Sequence, residues 1–329
     1  MEYIKVDYFK EPVSRIGIGT WAMGGSLWGE SDSEESVRTL RTAFDKGINF
    51  IDTAPGYGFG LAEEVLGKAI LEYGVRDKLL IATKCGLNLQ SQTNVFRDSS
   101  REWLNFELES SLKRLQTDYI DLYQIHWPDP TTPQSEVAET LKKMLDSGKI
   151  RAIGLSNYKL AEILEFKAVA PIHALQFPFN IFEREAEEDV LKYAKNEKLT
   201  SIGYSTLCRG LLTGTLKEDT PFEDLRKNFD PKFRSPYFGQ YLICVGRLQQ
   251  WALDTHKISL PTLAFRWSLD KGIEIPLWGA RKPQELDPLN QLFEWKLTEK
   301  DFFEIDEILR DAVKDSIGPQ YMSPPLRDK

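Results

Sequence analysis

The chain has 329 residues, of which 41% are hydrophobic, and its formal net charge is -8 at neutral pH. This length can bury a large core, and it accommodates one large barrel as well as two smaller domains. A net acidic chain without a long Lys/Arg run is poorly suited to neutralising phosphates, so we expect no nucleic-acid partner.

The cysteine pattern and the N-terminus bear on the cellular compartment. Three cysteines lie far apart, with no CxxC pair: Cys85, Cys208 and Cys244. This odd number indicates neither a disulfide framework nor a cysteine zinc site, and it fits a reducing environment. No cationic stretch followed by an apolar one opens the chain, and no segment has the apolar length of a bilayer span. We therefore expect a cytoplasmic protein with no membrane partner.

Short apolar or β-branched runs alternate along the chain with longer segments of helical periodicity. Eight such runs are predicted as strands, at residues 15–19, 48–52, 79–84, 120–126, 150–155, 174–177, 200–204 and 273–277. Between them, apolar residues recur at three- and four-residue spacing, as at Leu104, Leu108 and Leu112. This alternation is typical of βα units around a parallel sheet. It predicts a single α/β domain over residues 1–329, a (β/α)8 TIM barrel.

A doubly wound sheet is the alternative architecture. It requires a glycine-rich GxGxxG turn after an early strand, to approach a phosphate closely. The nearest match is Gly17-Ile18-Gly19-Thr20-Trp21, in which the bulky Trp21 suits a tight phosphate turn poorly. The barrel is therefore preferred.

Two segments interrupt the βα rhythm. Residues 205–241 carry several glycines and prolines and predict an elaborated loop after strand seven, which on a barrel is commonly functional. Residues 297–313 predict an added C-terminal helix. From Lys314 a polar tail follows, which we expect to be poorly ordered.

Four polar side chains fall at or just after the ends of three consecutive strands. Asp52 ends the second strand, and Tyr57 lies in the loop that follows. Lys84 ends the third strand and His126 the fourth. Because the carboxyl ends of barrel strands share one mouth, we expect these groups to lie together. A charged Lys84, held by Asp52, is expected to lower the pKa of Tyr57, so that Tyr57 can give a proton to a carbonyl oxygen oriented by His126.

Other interpretations of these residues stay open at this point. Each of the four is by itself compatible with a structural role. Lys84 as a Schiff-base nucleophile would need a lowered lysine pKa, whereas the neighbouring Asp52 should raise it. The histidines His126, His173 and His256 lie on different units without metal-ligand spacing, so no metal is expected.

These segments closely resemble the aldo-keto reductase superfamily, in its bacterial NADPH-dependent form. The resemblance rests on Asp52-Thr53-Ala54-Pro55-Gly56-Tyr57-Gly58, Lys84 and Ile125-His126-Trp127-Pro128, and it continues along nearly the whole chain. It implies an oxidoreductase (EC 1.1.1.-) that reduces aldehydes or ketones, with sugars among the candidates, by hydride transfer from NADPH. The resemblance implies that Tyr57 is the general acid, that Lys84 and Asp52 are its partners, and that His126 orients the substrate.

The resemblance also assigns cofactor contacts. Ser156, Asn157 and Gln176 are expected to bind the nicotinamide carboxamide, and Tyr204 to stack on the ring. The pyrophosphate is expected along the loop after strand seven. The complete set of expected cofactor residues is Gly19, Thr20, Trp21, Asp52, Ser156, Asn157, Gln176, Tyr204, Ser205, Thr206, Leu207, Arg209, Gly210, Gly279, Ala280, Arg281, Lys282 and Glu285.

Cofactor preference depends on the adenosine end. Arg281, with Lys282 beside it, resembles a clamp for a 2′-phosphate, which favours NADPH. Residues 284–289 lack a second basic side chain, so NADH remains an alternative.

The substrate and the cellular role are less defined. Trp21, Trp28 and Trp127 are expected to line an aromatic pocket for a small carbonyl compound. Some barrels of this family act as regulatory, redox-sensing subunits of larger assemblies, such as potassium-channel β subunits, which gives a second candidate function. The sequence leaves the oligomeric state open.

Overall fold

Eight parallel strands, in chain order, form a closed barrel in the computed structural model, which describes residues 1–91 and 94–327. Each strand pairs with the strands before and after it, and the last pairs with the first. The predicted (β/α)8 barrel is thus confirmed. The strands are β1 (Gly17–Gly19), β2 (Phe50–Asp52), β3 (Leu80–Cys85), β4 (Leu122–Ile125), β5 (Ile153–Ser156), β6 (Ala174–Pro178), β7 (Thr200–Tyr204) and β8 (Ile275–Gly279).

The helices surround this barrel with their apolar faces inward. In the first of them, Val37, Leu40 and Ala43 recur at three-residue spacing and are buried. Among the helices of the described residues, none combines the length and apolar character needed to cross a membrane. The helices are α1 (Ser33–Asp45), α2 (Leu61–Tyr73), α3 (Arg101–Leu115), α4 (Gln134–Asp146), α5 (Leu160–Lys167), α6 (Val190–Glu197), α7 (Leu225–Asn228), α8 (Tyr237–His256), α9 (Leu260–Asp270) and α10 (Glu299–Ala312).

An antiparallel hairpin at the N-terminus covers one end of the barrel. It pairs Tyr3–Ile4 with Val13–Ser14. Val13 packs in one apolar cluster with Phe50 and Leu80, the first residues of β2 and β3. Because these are the amino-terminal ends of the strands, the hairpin closes the end opposite to the one where barrel enzymes carry their chemistry.

A second hairpin, which the sequence did not predict, follows β3 and pairs Leu87–Ser91 with Asn94–Arg97. It begins at Gly86, whose positive φ of 90° suits glycine. The Gly86 N–H donates to Glu107 Oε2 of α3 at 2.6 Å. Burial raises the pKa of the Glu107 carboxyl well above its ordinary value.

Both irregular segments predicted from the sequence are present. The loop after β7 contains short helical turns at Cys208–Thr213 and Pro231–Phe233 as well as α7, and α8 begins at Tyr237, before the predicted end of the loop. The added C-terminal helix is α10, and Thr298 caps it by accepting a hydrogen bond from the Asp301 N–H at 3.2 Å.

The tail, which we expected to be poorly ordered, contacts the body of the protein as far as Arg327. The tail runs back to the second hairpin, where the Arg97 N–H donates to the Pro325 carbonyl at 3.0 Å. Arg327 donates to Asp98 Oδ1 at 3.1 Å. These partners lie more than two hundred residues apart in the chain, so local sequence patterns carry no sign of them.

Candidate active site

Lys84 is the centre of a buried network at the carboxyl ends of β2 and β3. Its Nζ donates to Asp52 Oδ1 at 2.6 Å, to the Thr53 carbonyl at 2.9 Å and to the Tyr57 hydroxyl at 3.1 Å. The Lys84 side chain is 1% exposed and that of Asp52 2% exposed. Three acceptors use all three N–H bonds of an ammonium, which leaves no lone pair on the nitrogen. This geometry disfavours the Schiff-base interpretation.

The Tyr57 hydroxyl is less acidic than the sequence led us to expect. Burial raises the pKa of Tyr57 well above its ordinary value, and the Asp52 carboxylate raises it further. The pKa of Lys84 is lowered by burial, against the raising that we expected from Asp52, which opposes this shift without reversing it. The direction is opposite to the expected lowering of the Tyr57 pKa, because loss of solvation disfavours the phenolate. The phenol keeps its proton at neutral pH, which is the form a proton donor needs.

Two glutamines hold the second oxygen of Asp52. Gln176 Nε2 on β6 donates to Asp52 Oδ2 at 2.8 Å, and Gln124 Nε2 on β4 donates to it at 3.3 Å. The sequence analysis did not identify Gln124 as a site residue. The one sign of its role in the sequence is that it is a polar side chain inside an otherwise apolar strand. Gly154 of β5 makes room for it, because a Cβ at that position would lie 2.7 Å from Gln124 Cγ.

His126 follows β4 and lies beside Tyr57. The two rings meet edge to face, with centroids 5.9 Å apart. Burial lowers the pKa of His126 well below its ordinary value, and the Lys84 charge lowers it further. The imidazole is therefore neutral at physiological pH and can donate one N–H to a carbonyl oxygen without carrying charge. Among the described residues, no three His, Cys, Asp or Glu side chains gather in a way that could hold a metal ion.

Two cavities meet at Tyr57. The first, here the mouth cavity, has a volume of about 370 Å³, and the second, here the side groove, about 490 Å³. Trp21, Tyr57 and Tyr204 line both. The other predicted residues that line the mouth cavity are His126, Trp127, Ser156, Asn157 and Gln176. Those that line the side groove are Gly19, Asp52, Ser205, Thr206, Leu207, Arg209, Gly210, Gly279, Ala280, Arg281 and Glu285.

Three predicted residues lie elsewhere than expected. Trp28, predicted for the substrate pocket, lines the side groove, because its ring packs edge to face against Trp21 at 5.2 Å between centroids. Thr20 is fully buried, and its hydroxyl donates to the Asp52 carbonyl at 3.1 Å. Lys282 is exposed and is in the lining of neither cavity. These positions favour a structural role for Thr20 and a surface role for Lys282 over the cofactor contacts that we expected.

Residues at the junction of the cavities are bonded to one another. The Tyr204 hydroxyl donates to Asn157 Oδ1 at 2.8 Å. Asn157 Nδ2 donates to Ser156 Oγ at 3.0 Å and to the His126 carbonyl at 2.9 Å. The positive φ of Asn157, 63°, turns the chain directly after β5. This network fixes the Tyr204 ring as a wall between the mouth cavity and the side groove.

The loop after β7 turns through left-handed conformations along the side groove. Ser205, Cys208, Arg209 and Gly210 all have positive φ. Two of its amides bond within the loop, Cys208 N to the Ser205 carbonyl at 2.7 Å and Gly210 N to the Leu207 carbonyl at 3.0 Å. The Gly210 N–H, expected to bind a pyrophosphate, thus already has an acceptor.

A buried ionic quartet, consisting of Glu183, Arg209, Asp230 and Lys232, supports this loop from behind. Arg209 Nε donates to Asp230 Oδ2 at 2.7 Å, and its other nitrogens bond Glu183 and Ser205 Oγ. Lys232 Nζ donates to Glu183 Oε1 at 2.7 Å. All four side chains are at most 2% exposed. The Arg209 guanidinium therefore holds the loop, and its own charge is balanced inside the protein.

The lining of the side groove includes the guanidinium of Arg281. Arg281 donates from its side chain to the Trp28 carbonyl at 3.3 Å and to the Glu30 carbonyl. Its backbone N–H donates to Glu285 Oε2 at 2.8 Å. Trp28 Nε1, in the same groove, is buried without a partner among the described atoms. A groove whose lining includes the Tyr204 ring, the Arg281 guanidinium and an unsatisfied indole donor fits an anionic dinucleotide.

The comparison with known families identifies this arrangement. The model of the aldo/keto reductase family matches residues 15–310. The chain belongs to this family. As an aldo/keto reductase it is an oxidoreductase of small carbonyl compounds that uses a nicotinamide cofactor, and the resemblance found in the sequence is confirmed.

Individual aldo/keto reductases are similar to this protein over most or all of the chain. The aldo-keto reductase YhdN of Bacillus subtilis is 50% identical over 332 aligned positions, which cover 100% of both chains. The NADH-specific methylglyoxal reductase of Escherichia coli is 33% identical and covers 83% of this chain and 88% of its own. Among solved structures, the glycerol dehydrogenase AKR11B4 of Gluconobacter oxydans is 44% identical, with a TM-score of 0.87 over 96% of this chain and 98% of its own.

Proposed function

We propose that this aldo/keto reductase reduces aldehydes and ketones to alcohols, with Tyr57 as the proton donor and NADPH as the reductant. The observation that carries the proposal is the position of the Tyr57 hydroxyl, where the two cavities meet and 3.1 Å from Lys84 Nζ. A nicotinamide cofactor in the side groove would supply the hydride, and the protein supplies orientation and the proton.

Each polar side chain has a defined part in the proton transfer. The neutral His126 donates a hydrogen bond to the carbonyl oxygen and orients it. Tyr57 gives its proton to that oxygen as negative charge develops there. The Lys84 ammonium, at hydrogen-bond distance, stabilises the phenolate that remains. Asp52 keeps Lys84 in place, and Gln124 and Gln176 keep Asp52 in place.

The remaining junction and groove residues would hold the cofactor. Ser156, Asn157 and Gln176 would bind the carboxamide, and Tyr204 would form the aromatic wall beside the nicotinamide ring. The backbone of residues 205–210 would follow the pyrophosphate, supported by the buried ionic quartet. All three cysteines are buried free thiols, which fits our proposal of a cytoplasmic location.

Two opposing charges bear on the choice between NADPH and NADH. Arg281 favours NADPH because a guanidinium suits a 2′-phosphate. Glu285 lines the same end of the side groove and would repel that phosphate. One relative is named as NADH-specific. We therefore propose NADPH as the preferred cofactor, with NADH also accepted.

The test is a spectrophotometric assay of NADPH and NADH oxidation with benzaldehyde and methylglyoxal. We expect turnover by the wild type, and a loss of about 100-fold or more in Tyr57→Phe, because general acid catalysis contributes about 10²–10⁴-fold. NADPH affinity, measured by fluorescence titration, should change little. Wild-type turnover by Tyr57→Phe would refute the role of Tyr57. Slow wild-type turnover together with a stoichiometric partner from native extract would instead favour the regulatory-subunit function.

A further inference from the structure

We propose that the protein has a second ligand site, which binds a small arylalkylammonium ion and through which this ion raises the affinity of the mouth cavity for its substrate. The site is a cavity of about 230 Å³ beside α3, here the α3 cavity. Its lining includes Glu107, three aromatic side chains and Leu89 of the hairpin after β3. Binding of the ion stands apart from the proposed reductase function, whereas its effect on the substrate rests on that function.

Glu107 is the group in the lining of the α3 cavity that lacks a partner. Only 3% of this residue is exposed. Its Oε2 accepts a hydrogen bond from the Gly86 N–H at 2.6 Å, whereas its Oε1 has no hydrogen-bond partner among the described residues. A buried oxygen without a partner is unfavourable, so a cationic N–H donor that reached Oε1 would form a strong, charge-assisted hydrogen bond.

The charges around Glu107 are one cation short. Glu63 of α2 is buried nearby and is paired with Arg114, whose Nε donates to Glu63 Oε2 at 2.7 Å. Cys85 on β3 and Tyr123 on β4 also lie within electrostatic range of Glu107, and burial raises the pKa of each well above its ordinary value, so both are neutral. Among these described groups, two carboxyls therefore share one guanidinium. An ammonium ion would supply the missing charge and allow Glu107 to ionise.

Aromatic rings favour an arylalkyl cation over a small inorganic one. Trp103 and Phe106 of α3 pack together with their ring centroids 5.1 Å apart, and Phe59 contributes a third ring to the lining. Such rings pack well against an aryl group, and their faces attract an ammonium ion. Phe106 is 58% exposed, and exposed side chains change rotamer rapidly, so its ring can turn to admit a ligand to the shielded Oε1 of Glu107.

Two side chains connect the α3 cavity to the mouth cavity. Phe59 and Leu89 line both. Phe59 lies two residues after Tyr57 in the same loop and has a positive φ of 54°, which an aromatic residue rarely adopts. A ligand packed behind Phe59 and Leu89 would hold both in place, so that a substrate would no longer have to order them when it binds. We therefore expect the ligand to lower KM and to leave kcat nearly unchanged.

The first experiment measures binding of N,N-dimethylbenzylamine to the purified protein by titration calorimetry. Its affinity should exceed that of N,N-dimethylbenzamide, a neutral molecule of similar shape, by at least about tenfold, because only the ammonium can pair with the carboxylate. The affinity should rise by up to about tenfold per pH unit from about pH 5 to about pH 7, because Glu107 releases its proton when the ammonium binds. Titrations in phosphate and in Tris at about pH 6 should show close to one proton released per ligand.

Glu107→Gln removes the charge and keeps the shape of the side chain. At about pH 7 it should weaken binding of N,N-dimethylbenzylamine by at least about tenfold, and it should abolish both the pH dependence and the proton release. Glu102→Gln, at an exposed position on the same helix, is the matched control and should bind like the wild type. Phe106→Ala should weaken binding about fivefold, because the ammonium loses an aromatic face.

The second experiment measures KM for benzaldehyde with and without saturating N,N-dimethylbenzylamine, a tertiary amine that does not condense with aldehydes. KM should fall about fivefold, at the lower end of the usual coupling between two sites. The kcat should change little. Glu107→Gln should show no such fall in KM at the same amine concentration, and Glu102→Gln should show the fall seen in the wild type.

The outcomes separate the site from its effect and from the reductase function. No binding, binding that is unchanged in Glu107→Gln, or binding without proton release would overturn the ammonium site. Binding through Glu107 with no change in KM would overturn the effect on the substrate and leave the reductase function standing. If no aldehyde supports oxidation of NADPH or NADH, the reductase function and the effect on the substrate both fail, and calorimetry still decides whether the ammonium ion binds.

Discussion

Lys84 bonds three oxygens at the barrel mouth, so it contributes both to the stability of the fold and to the proposed proton transfer. Its ammonium is surrounded by Asp52, the Thr53 carbonyl and Tyr57. In the absence of substrate, burial keeps the Tyr57 hydroxyl protonated despite this neighbour. The benefit of Lys84 to catalysis therefore falls on the step in which Tyr57 loses its proton, because only then does the Tyr57 oxygen beside the ammonium carry a negative charge.

Replacing Lys84 tests this division of roles. Lys84→Met should lower kcat by about 10²-fold or more, because the phenolate loses its stabilising charge. It should also destabilise the protein by about 3–5 kcal/mol, since Asp52 is left buried without its cation. Lys68→Met, at a side chain that is 50% exposed, is the control. Steady-state kinetics and urea unfolding measure the two effects, and a Lys84→Met enzyme with normal kcat would contradict the assignment.

The strands, and the four residues at or just after their ends, could be predicted because the sequence patterns that mark them are local. The apolar runs that became β1 to β8 are bounded by polar or glycine residues, and Asp52, Lys84 and His126 stand where those runs end. Several strands begin later than predicted. Ile120 and Ile150, for example, form an isolated bridge just before β4 and β5, so they are buried and apolar without belonging to the strands.

The features that the sequence did not reveal depend on distant partners. The hairpin after β3 has no Asn-Gly or Asp-Gly turn to mark it. Trp28 would have been assigned to the side groove only if its packing against Trp21 were known. The Tyr57 pKa is governed by burial, which depends on the assembled barrel. The tail likewise is held in position by Arg97, which belongs to the hairpin after β3.

The buried ionic quartet connects the β6 end, the loop after β7 and the turn Pro231–Phe233. Lys232→Met should cost about 3–5 kcal/mol of unfolding free energy, because the two buried carboxylates of the quartet are then left with Arg209 as their one partner cation in the quartet. NADPH affinity should also weaken, because the loop along the side groove loses its support.

A matched comparison isolates the effect of burial on such an ion pair. Lys142 pairs with Asp146 at 3.2 Å on α4, and both side chains are largely exposed. Lys142→Met should therefore change stability by less than about 1 kcal/mol. Urea unfolding of both variants gives the comparison, and equal losses would show that the quartet is no more stabilising than a surface pair.

The free energy of unfolding of the whole barrel should depend on pH through Glu107. Because burial raises its pKa, the native state holds this proton at pH values where the unfolded chain has released it. The stabilisation is complete below the ordinary pKa of 4.5 and is lost as pH rises through the raised pKa. Glu107→Gln removes this dependence and keeps an acceptor for the Gly86 N–H.

The variant should therefore gain stability relative to the wild type as pH rises from about 5 to about 8, by up to about 1.4 kcal/mol per pH unit. Urea midpoints across that range measure the difference. Glu102→Gln, at an exposed position on the same helix, is the control. Parallel stability curves for the wild type and Glu107→Gln would contradict the prediction.

The N-terminal hairpin and the last described residues of the tail lie at opposite ends of the barrel. The N-terminal hairpin lies over the amino-terminal ends of the strands, whereas the tail is fastened beside Trp127 and the mouth cavity as far as Arg327. An affinity handle or fusion partner joined to the C-terminus would therefore crowd the entrance through which substrates pass. One joined ahead of Met1, which is exposed, would leave that entrance clear.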